Sequence, residues 1–253
     1  MKKLTILIVL FLLYPCLVLG SDEDVFKTSY ECFDLKGDKR WKATTQIMQV
    51  TDGRENIYLI TEKGEGIFSG FKDKMSWIAT LEFKSSKDTI IPIESQKHIF
   101  DENGKMVTSS VQKFDFKNKN VSCIRKNLLT GKKKEKNFKF KHDIVNRLML
   151  GLYIQKFLEN KKTEDTVQLL SSKPRLYKVK IKVIDQETVS INGKEKEAYK
   201  LCLDPDIGLL NILKVFIPKA YTWHSATPEY EWLKYVGLES TVNSEKVEIR
   251  TVD

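Results

Sequence analysis

The chain has 253 residues, 41% of them hydrophobic, and carries 43 Lys and Arg against 34 Asp and Glu, a formal charge of +9. That length buries a sizeable core and suits one large β unit or two small domains, while a moderate basic surplus without a recognisable binding module argues against a nucleic-acid partner. Three scattered histidines (His98, His142, His224) and four cysteines without a CxxC pair exclude a metal site of ordinary spacing, and no cofactor is implied.

Residues 1–20, MKKLTILIVLFLLYPCLVLG, combine two lysines, an uncharged run from Leu4 and small residues at Gly20 and Ser21, where SDED begins. This is the layout of a secretory signal cleaved after Gly20, which leaves an exported chain of residues 21–253. The rival reading is a retained anchor, since the run from Leu4 to Ser21 is 18 residues, the lower edge for crossing a bilayer. Pro15 and the Val18-x-Gly20 site favour cleavage, and Pro15 before Cys16 disfavours lipid attachment. Loss of Lys2 and Lys3 leaves 41 basic residues against 34 acidic, a charge of +7. Cys32, Cys123 and Cys202 remain, an odd number that permits one intramolecular bridge at most and leaves the pairing open.

From Ser29 to Phe140 short alternating runs rich in aromatic and β-branched residues predict strands at 41–50, 56–61, 76–83, 94–100, 106–116 and 121–125. TDGR at 51, EKGEG at 62, DENGK at 101 and LTGK at 129 are read as the glycine-bearing turns between them, so the sheet is antiparallel. Lys126 to Lys141 holds seven lysines and one acid, Glu135. Its bland reading is a solvated hairpin whose charge discourages edge pairing. The functional reading makes Lys132, Lys133, Lys134 and Lys136 a contact for an anionic surface such as lipid headgroups.

One helix is predicted over 143–158, with Asp143 as N-cap and Val145, Leu148, Met149 and Leu152 on one face, widened by Ile154, Phe157 and Leu158. Gly151 weakens it by roughly 1 kcal/mol relative to Ala, so packing against the sheet must hold it. Strands resume over 165–253. LYKVKIKVI sets Tyr177, Val179, Ile181 and Val183 against Lys178, Lys180 and Lys182, INGKE is a hairpin turn, and EAYKLCLD returns. LLNILKVFIPKA is apolar enough for a short helix or a buried strand.

YTWHSATPEYEWLKY, residues 221–235, gathers His224, Ser225, Glu229, Glu231 and five aromatic residues. Strand alternation puts Trp223 and Ser225 on one face and His224 on the other, which denies the histidine its serine, while Glu229 and Glu231 would share a face about 7 Å apart. A hydrolase using His224 with Glu229 or Glu231 is therefore the weakest functional reading. The rings Trp41, Trp77, Tyr153, Trp223, Tyr230 and Trp232 are either core or the lining of an apolar cavity.

Four segments carry a resemblance: YECFDLKG from Tyr30, HDIVNRLMLGLYIQKFL, RLYKVKIKVIDQETVSINGKEKEAYKL, and YTWHSATPEYEWLKYVG as a closing element. Their order resembles an uncharacterised family of exported bacterial proteins, a domain of unknown function whose fold is related to the lipoprotein-carrier half-barrel. Trp41 stands where that family repeats a glycine, and Asn146 where it often has serine. The resemblance implies a periplasmic location and a mainly β, curved antiparallel sheet with one helix packed on it, and it brings no catalytic residues. The expectation is a non-enzymatic protein binding an apolar or amphiphilic, lipid-like ligand in the curve of the sheet, with those six rings as lining. The alternative is a cell-envelope module that docks a partner protein or an anionic membrane surface.

Overall fold

The computed structural model describes residues 24–51, 56–68, 70–86, 89–171, 174–206, 219–239 and 244–252. The expected signal segment, most of the TDGR turn and nearly all of the apolar run from Leu209 lie outside the described residues.

Eight strands come first: β1 (Asp24–Asp34), β2 (Lys39–Thr51), β3 (Asn56–Gly66), β4 (Met75–Ser85), β5 (Ile90–Phe100), β6 (Met106–Asp115), β7 (Asn120–Asn127) and β8 (Lys133–Lys139). A short β9 (Ile144–Asn146) leads through a 3₁₀ turn (Arg147–Met149) into helix α1 (Leu150–Glu159). Six strands follow: β10 (Glu164–Leu170), β11 (Leu176–Ile191), β12 (Lys194–Asp206), β13 (Ala220–Ser225), β14 (Trp232–Leu238) and β15 (Lys246–Thr251). Among the described residues all fifteen strands join one sheet, ordered β8-β7-β6-β5-β4-β3-β2-β1-β15-β14-β13-β12-β11-β10-β9. Neighbours pair antiparallel except β9, which runs parallel to β10 from Gln168↔Ile144 to Leu170↔Asn146. β1 pairs with β15, so the first and last strands meet at mid-sheet.

The curve is filled from both limbs. Ile47, Ile60, Leu81 and Phe83 of β2–β4 pack with Val179, Ile181, Leu201 and Leu203 of β11 and β12, and Met149, Ile154, Phe157 and Leu158 of the helical segment lie between them. Burying such side chains contributes roughly 1.5–3 kcal/mol each, which is how a ten-residue helix carrying a glycine persists. Among the described residues the free ends of the sheet, β8 and β9, do not pair with each other. Instead the β9–β10 end packs against β7, through Ile144 and Leu170 on Val121 and Cys123, and Gln112 of β6 bonds both Asn146 and the Ser171 carbonyl.

Two expectations need correction. The helix does not begin at Asp143: Ile144–Asn146 is extended and fully buried, and Asn146, not Asp143, caps the turn by accepting from the Leu148 N–H at 2.8 Å. An apolar run beside a β-strand neighbour satisfies strand burial as well as helical period, and the ladder to β10 decides. Nor is EKGEG a turn, since Glu62–Gly66 continues β3. Its glycines allow close approach instead: a Cβ on Gly64 would collide with the Trp77 ring, and one on Gly66 with the backbone of Arg40 and Trp41. INGKE behaves as read, with Asn192 and Gly193 both at positive φ in the β11–β12 turn. Among the described residues, Cys32, Cys123 and Cys202 form no disulfide with one another.

Candidate functional site

The register of the first limb lines up one inward row across seven strands: Thr28, Thr45, Glu62, Ala79, Lys97, Ser110 and Arg125. Each stands opposite the next, so a polar and charged belt crosses an otherwise apolar face. Glu62 is 2% exposed. It accepts from Tyr30 Oη, from Trp77 Nε1 at 2.7 Å and from Arg147 Nη2 at 2.5 Å, the last reaching across from the 3₁₀ turn. Burial alone would raise the Glu62 carboxyl, but Arg147, Lys97 and the donors Tyr30 and Trp77 outweigh it and hold the group below the usual range.

Around this carboxylate stand the rings. Tyr30 meets Trp41 and Trp232 edge-on at 6.1 and 5.8 Å, and Trp41 meets Trp77 at 5.5 Å. Trp41 Nε1 donates to Glu239 at 2.6 Å and Trp232 Nε1 to Thr222 at 3.0 Å. Three of the six expected lining rings, Trp41, Trp77 and Trp232, therefore converge, but as a packed cluster: Trp41 and Trp77 are 5% and 3% exposed. Trp223 lies on the opposite face, its Nε1 on Glu187 at 2.8 Å, covered by Ile191 of the β11–β12 hairpin and flanked by Lys200 and Lys234. Tyr153 donates to Asp165 at 3.1 Å, and Tyr230 leans on Tyr199. A hollow of about 490 Å³ opens where Glu31, Lys42, Lys63 and Glu65 stand and touches Trp77 beside Gly64.

His224 and Ser225 take different partners. His224 is fully buried with Nδ1 on the Tyr230 carbonyl at 2.9 Å and Nε2 without a partner, and its burial pushes the pKa down to about 4. Ser225 Oγ accepts from the Glu231 N–H at 2.9 Å. Glu229 is exposed in the turn that precedes β14, not on a strand face with Glu231, whose contact is Lys196 at 4.0 Å. The expected shared face is thus replaced by a turn that the histidine and serine brace from inside. A bulge between Trp223 and His224 then turns Trp232 inward beside Tyr30.

At the far edge, β8 ends the sheet, and Lys132 just before it and Lys133, Lys134 and Lys136 on it are all exposed. Lys133 pairs with Glu135 at 2.8 Å, and Lys136 lies over Phe138. The β7–β8 tip presents Leu128 and Leu129 to solvent, 47% and 64% exposed. Behind it, under residues 70–71, a hollow of about 150 Å³ is lined by Arg125, Thr108, Asn127, Val107, Phe71 and Leu129. Neither Glu62 nor Arg125 was singled out from sequence. Glu62 sat in a presumed turn, although Ile60-x-Glu62 continues the inward alternation and carried the signal.

The family model described as "Protein of unknown function (DUF3108)" matches residues 25–249. Comparison with curated proteins finds no match. Among solved structures, a beta-barrel-like protein of domain of unknown function DUF1849 from Brucella abortus is similar at 9% identity and a TM-score of 0.50, over 90% of this chain and 95% of that one. The likeness is one of fold: a large curved, barrel-like antiparallel sheet.

Proposed function

The chain belongs to the DUF3108 family, and from that premise we propose that it is an exported, non-enzymatic module that docks on an anionic membrane surface through the β7–β8 edge hairpin. The observation that carries this reading is the pair of exposed leucines at the tip of a lysine-rich edge strand. Each lysine near an anionic leaflet contributes about 1 kcal/mol of attraction, and the leucines supply apolar area that enters the headgroup boundary. The expected amphiphile held inside the curve is the less favoured reading, because α1 and the Tyr30 ring cluster pack there. Lipid met from outside keeps the lipid-facing role that the lipoprotein-carrier likeness suggests.

Co-sedimentation with protein-free phosphatidylglycerol vesicles tests the reading. Lys132→Glu, Lys133→Glu and Lys134→Glu together are expected to lower binding at least about a hundredfold at low salt, with unfolding unchanged. Leu128→Ser with Leu129→Ser is expected to weaken what remains at high salt. Full binding by the triple variant overturns the proposal, as does binding confined to protein-bearing membranes, which would assign the hairpin to a protein partner.

A further inference from the structure

The inward belt does not balance its charge. Glu62 is committed to Arg147, Tyr30 and Trp77, and Glu239 to Arg40 and Trp41. Further along the same row stand Lys97 and Arg125 with Ser110 between them, one strand apart on each side. The Lys97 ammonium lies over the rings of Phe68 and Trp77 at 5.5 and 5.0 Å. Among the described residues, the Arg125 side chain makes no hydrogen bond and no ion pair. A half-buried guanidinium offers five N–H donors in a planar fork, and its natural complement is an oxyanion that accepts two of them in parallel.

The space in front of it is shaped for such a group. The hollow of about 150 Å³ brings Thr108 and Asn127 beside Arg125, and Asn127 Oδ1 is already taken by the Thr130 N–H at 3.0 Å, which leaves its amide nitrogen as a donor. The other walls, Val107, Phe71 and Leu129, are apolar. Ligand pockets for whole small molecules run from about 300 Å³ upward, so this hollow suits one compact anionic group and not a sugar or an acyl chain. Leu129 belongs both to its wall and to the exposed tip, so a group held here would have its remainder outside, at the level of the leucines.

We propose that Arg125, with Thr108, Asn127 and the nearby Lys97, forms a phosphate site that takes the head group of an anionic phospholipid while its acyl chains stay in the bilayer. This deepens the docking proposal and rests on it for the orientation of the lipid. The lysines supply attraction to any negative surface; the Arg125 hollow supplies selectivity for phosphate. A carboxylate lacks the tetrahedral array of three acceptor oxygens, and a sulfate ester the second charge, that a phosphomonoester such as phosphatidic acid offers to two cations.

The test uses the full chain and two vesicle types of equal surface charge, phosphatidylcholine doped with phosphatidic acid or with cholesteryl hemisuccinate. The native protein is expected to bind the phosphatidic acid vesicles about tenfold more tightly, the equivalent of one charge-assisted hydrogen bond. Arg125→Gln should erase that preference, with hemisuccinate binding falling no further than the loss of one charge requires, and Arg125→Lys, which keeps the charge, should erase most of the preference. In a bilayer-free arm, dihexanoyl phosphatidic acid and inorganic phosphate are titrated against protein with ¹³C-methylated lysines. The lipid should shift the Lys97 resonance at lower concentration than free phosphate does. No preference between vesicles in the native protein, or a preference that survives both Arg125 variants, overturns the site while leaving the docking reading intact. Loss of vesicle binding in the lysine-reversed protein with the Lys97 shift retained supports the site and docking together; a retained shift beside unimpaired vesicle binding supports the site and removes the docking role of the lysines. Inorganic phosphate as effective as the lipid overturns the head-group assignment.

Discussion

Asn146 donates its side-chain amide to Gln112 Oε1 at 2.6 Å, tying β9 to the face of β6. The same glutamine donates to the Ser171 carbonyl at 2.9 Å, beyond the end of β10. One residue thus fastens the lapped end of the sheet where no ladder closes it. The next residue in the chain, Arg147, crosses to Glu62. Two consecutive residues, the last of β9 and the first of the 3₁₀ turn, therefore deliver these polar ties between the limbs, and α1 follows the turn into the core.

Gln112→Leu removes the first tie. Gln112 and Asn146 are both buried, so the substitution removes two hydrogen bonds and leaves the Asn146 amide without its Gln112 acceptor. The expected loss is about 2–4 kcal/mol in urea unfolding. A change under about 0.5 kcal/mol would mean that water or a shift of β9 replaces the bonds.

Glu62→Gln removes the second. The amide oxygen still accepts from Trp77 and its nitrogen turns to the Tyr30 hydroxyl oxygen as a donor, but Arg147 and Lys97 lose their counter-charge. Because the Arg147 side chain is about half exposed, the loss should sit near the low end for a broken buried pair, about 3 kcal/mol. The Glu62 carboxyl is held below its unfolded value, so its contribution is full above that value and disappears as pH falls through the lower, folded one. Acid unfolding of the Gln variant should accordingly show a shallower limb below about pH 4, and equal limbs would refute the assignment.

Much of the fold was legible because strand alternation is local. LYKVKIKVI announces β11 by setting three lysines against apolar neighbours, and INGKE announces the turn after it by the φ its residues tolerate. The helical segment was legible only in part, since Ile144 and Val145 satisfy a helical stripe and a buried strand equally well. What decides between them is β10, twenty-four residues on at Gln168↔Ile144. The belt was harder still. Glu62 and Arg147 are 85 positions apart, and no period links them. Glu62 also sits beside glycines that read as a turn, when they are there to admit Trp77 and the β2 backbone.

His224 predicts a second pH window. Its folded pKa is lowered to about 4 by burial, against about 6.5 when unfolded, so the unfolded chain binds the extra proton between those values. Stability from this residue is complete above about pH 6.5 and falls towards pH 4, by about 3 kcal/mol in all. His224→Gln should flatten the profile between pH 4 and 6.5 relative to the native chain. A native profile already flat there would show that the imidazole is not held neutral.

Two glycines make a paired test of the ring cluster. Gly64 of β3 faces Trp77 of β4 as a cross-strand pair, and a Cβ would run into the indole whose Nε1 donates to Glu62. Gly64→Ala must therefore push the ring, loosen that bond and disturb the edge contact with Trp41, for an expected loss of about 1–3 kcal/mol together with altered tryptophan fluorescence. Gly151 is the contrast. It lies in α1, where an added Cβ would meet Trp232 Cβ at 3.9 Å, an ordinary contact. Gly151→Ala should raise stability by up to about 1 kcal/mol through helix propensity, with the fluorescence unchanged. If Gly64→Ala instead proves neutral, the ring cluster is loose enough to yield, and Trp77 does not hold Glu62 in place.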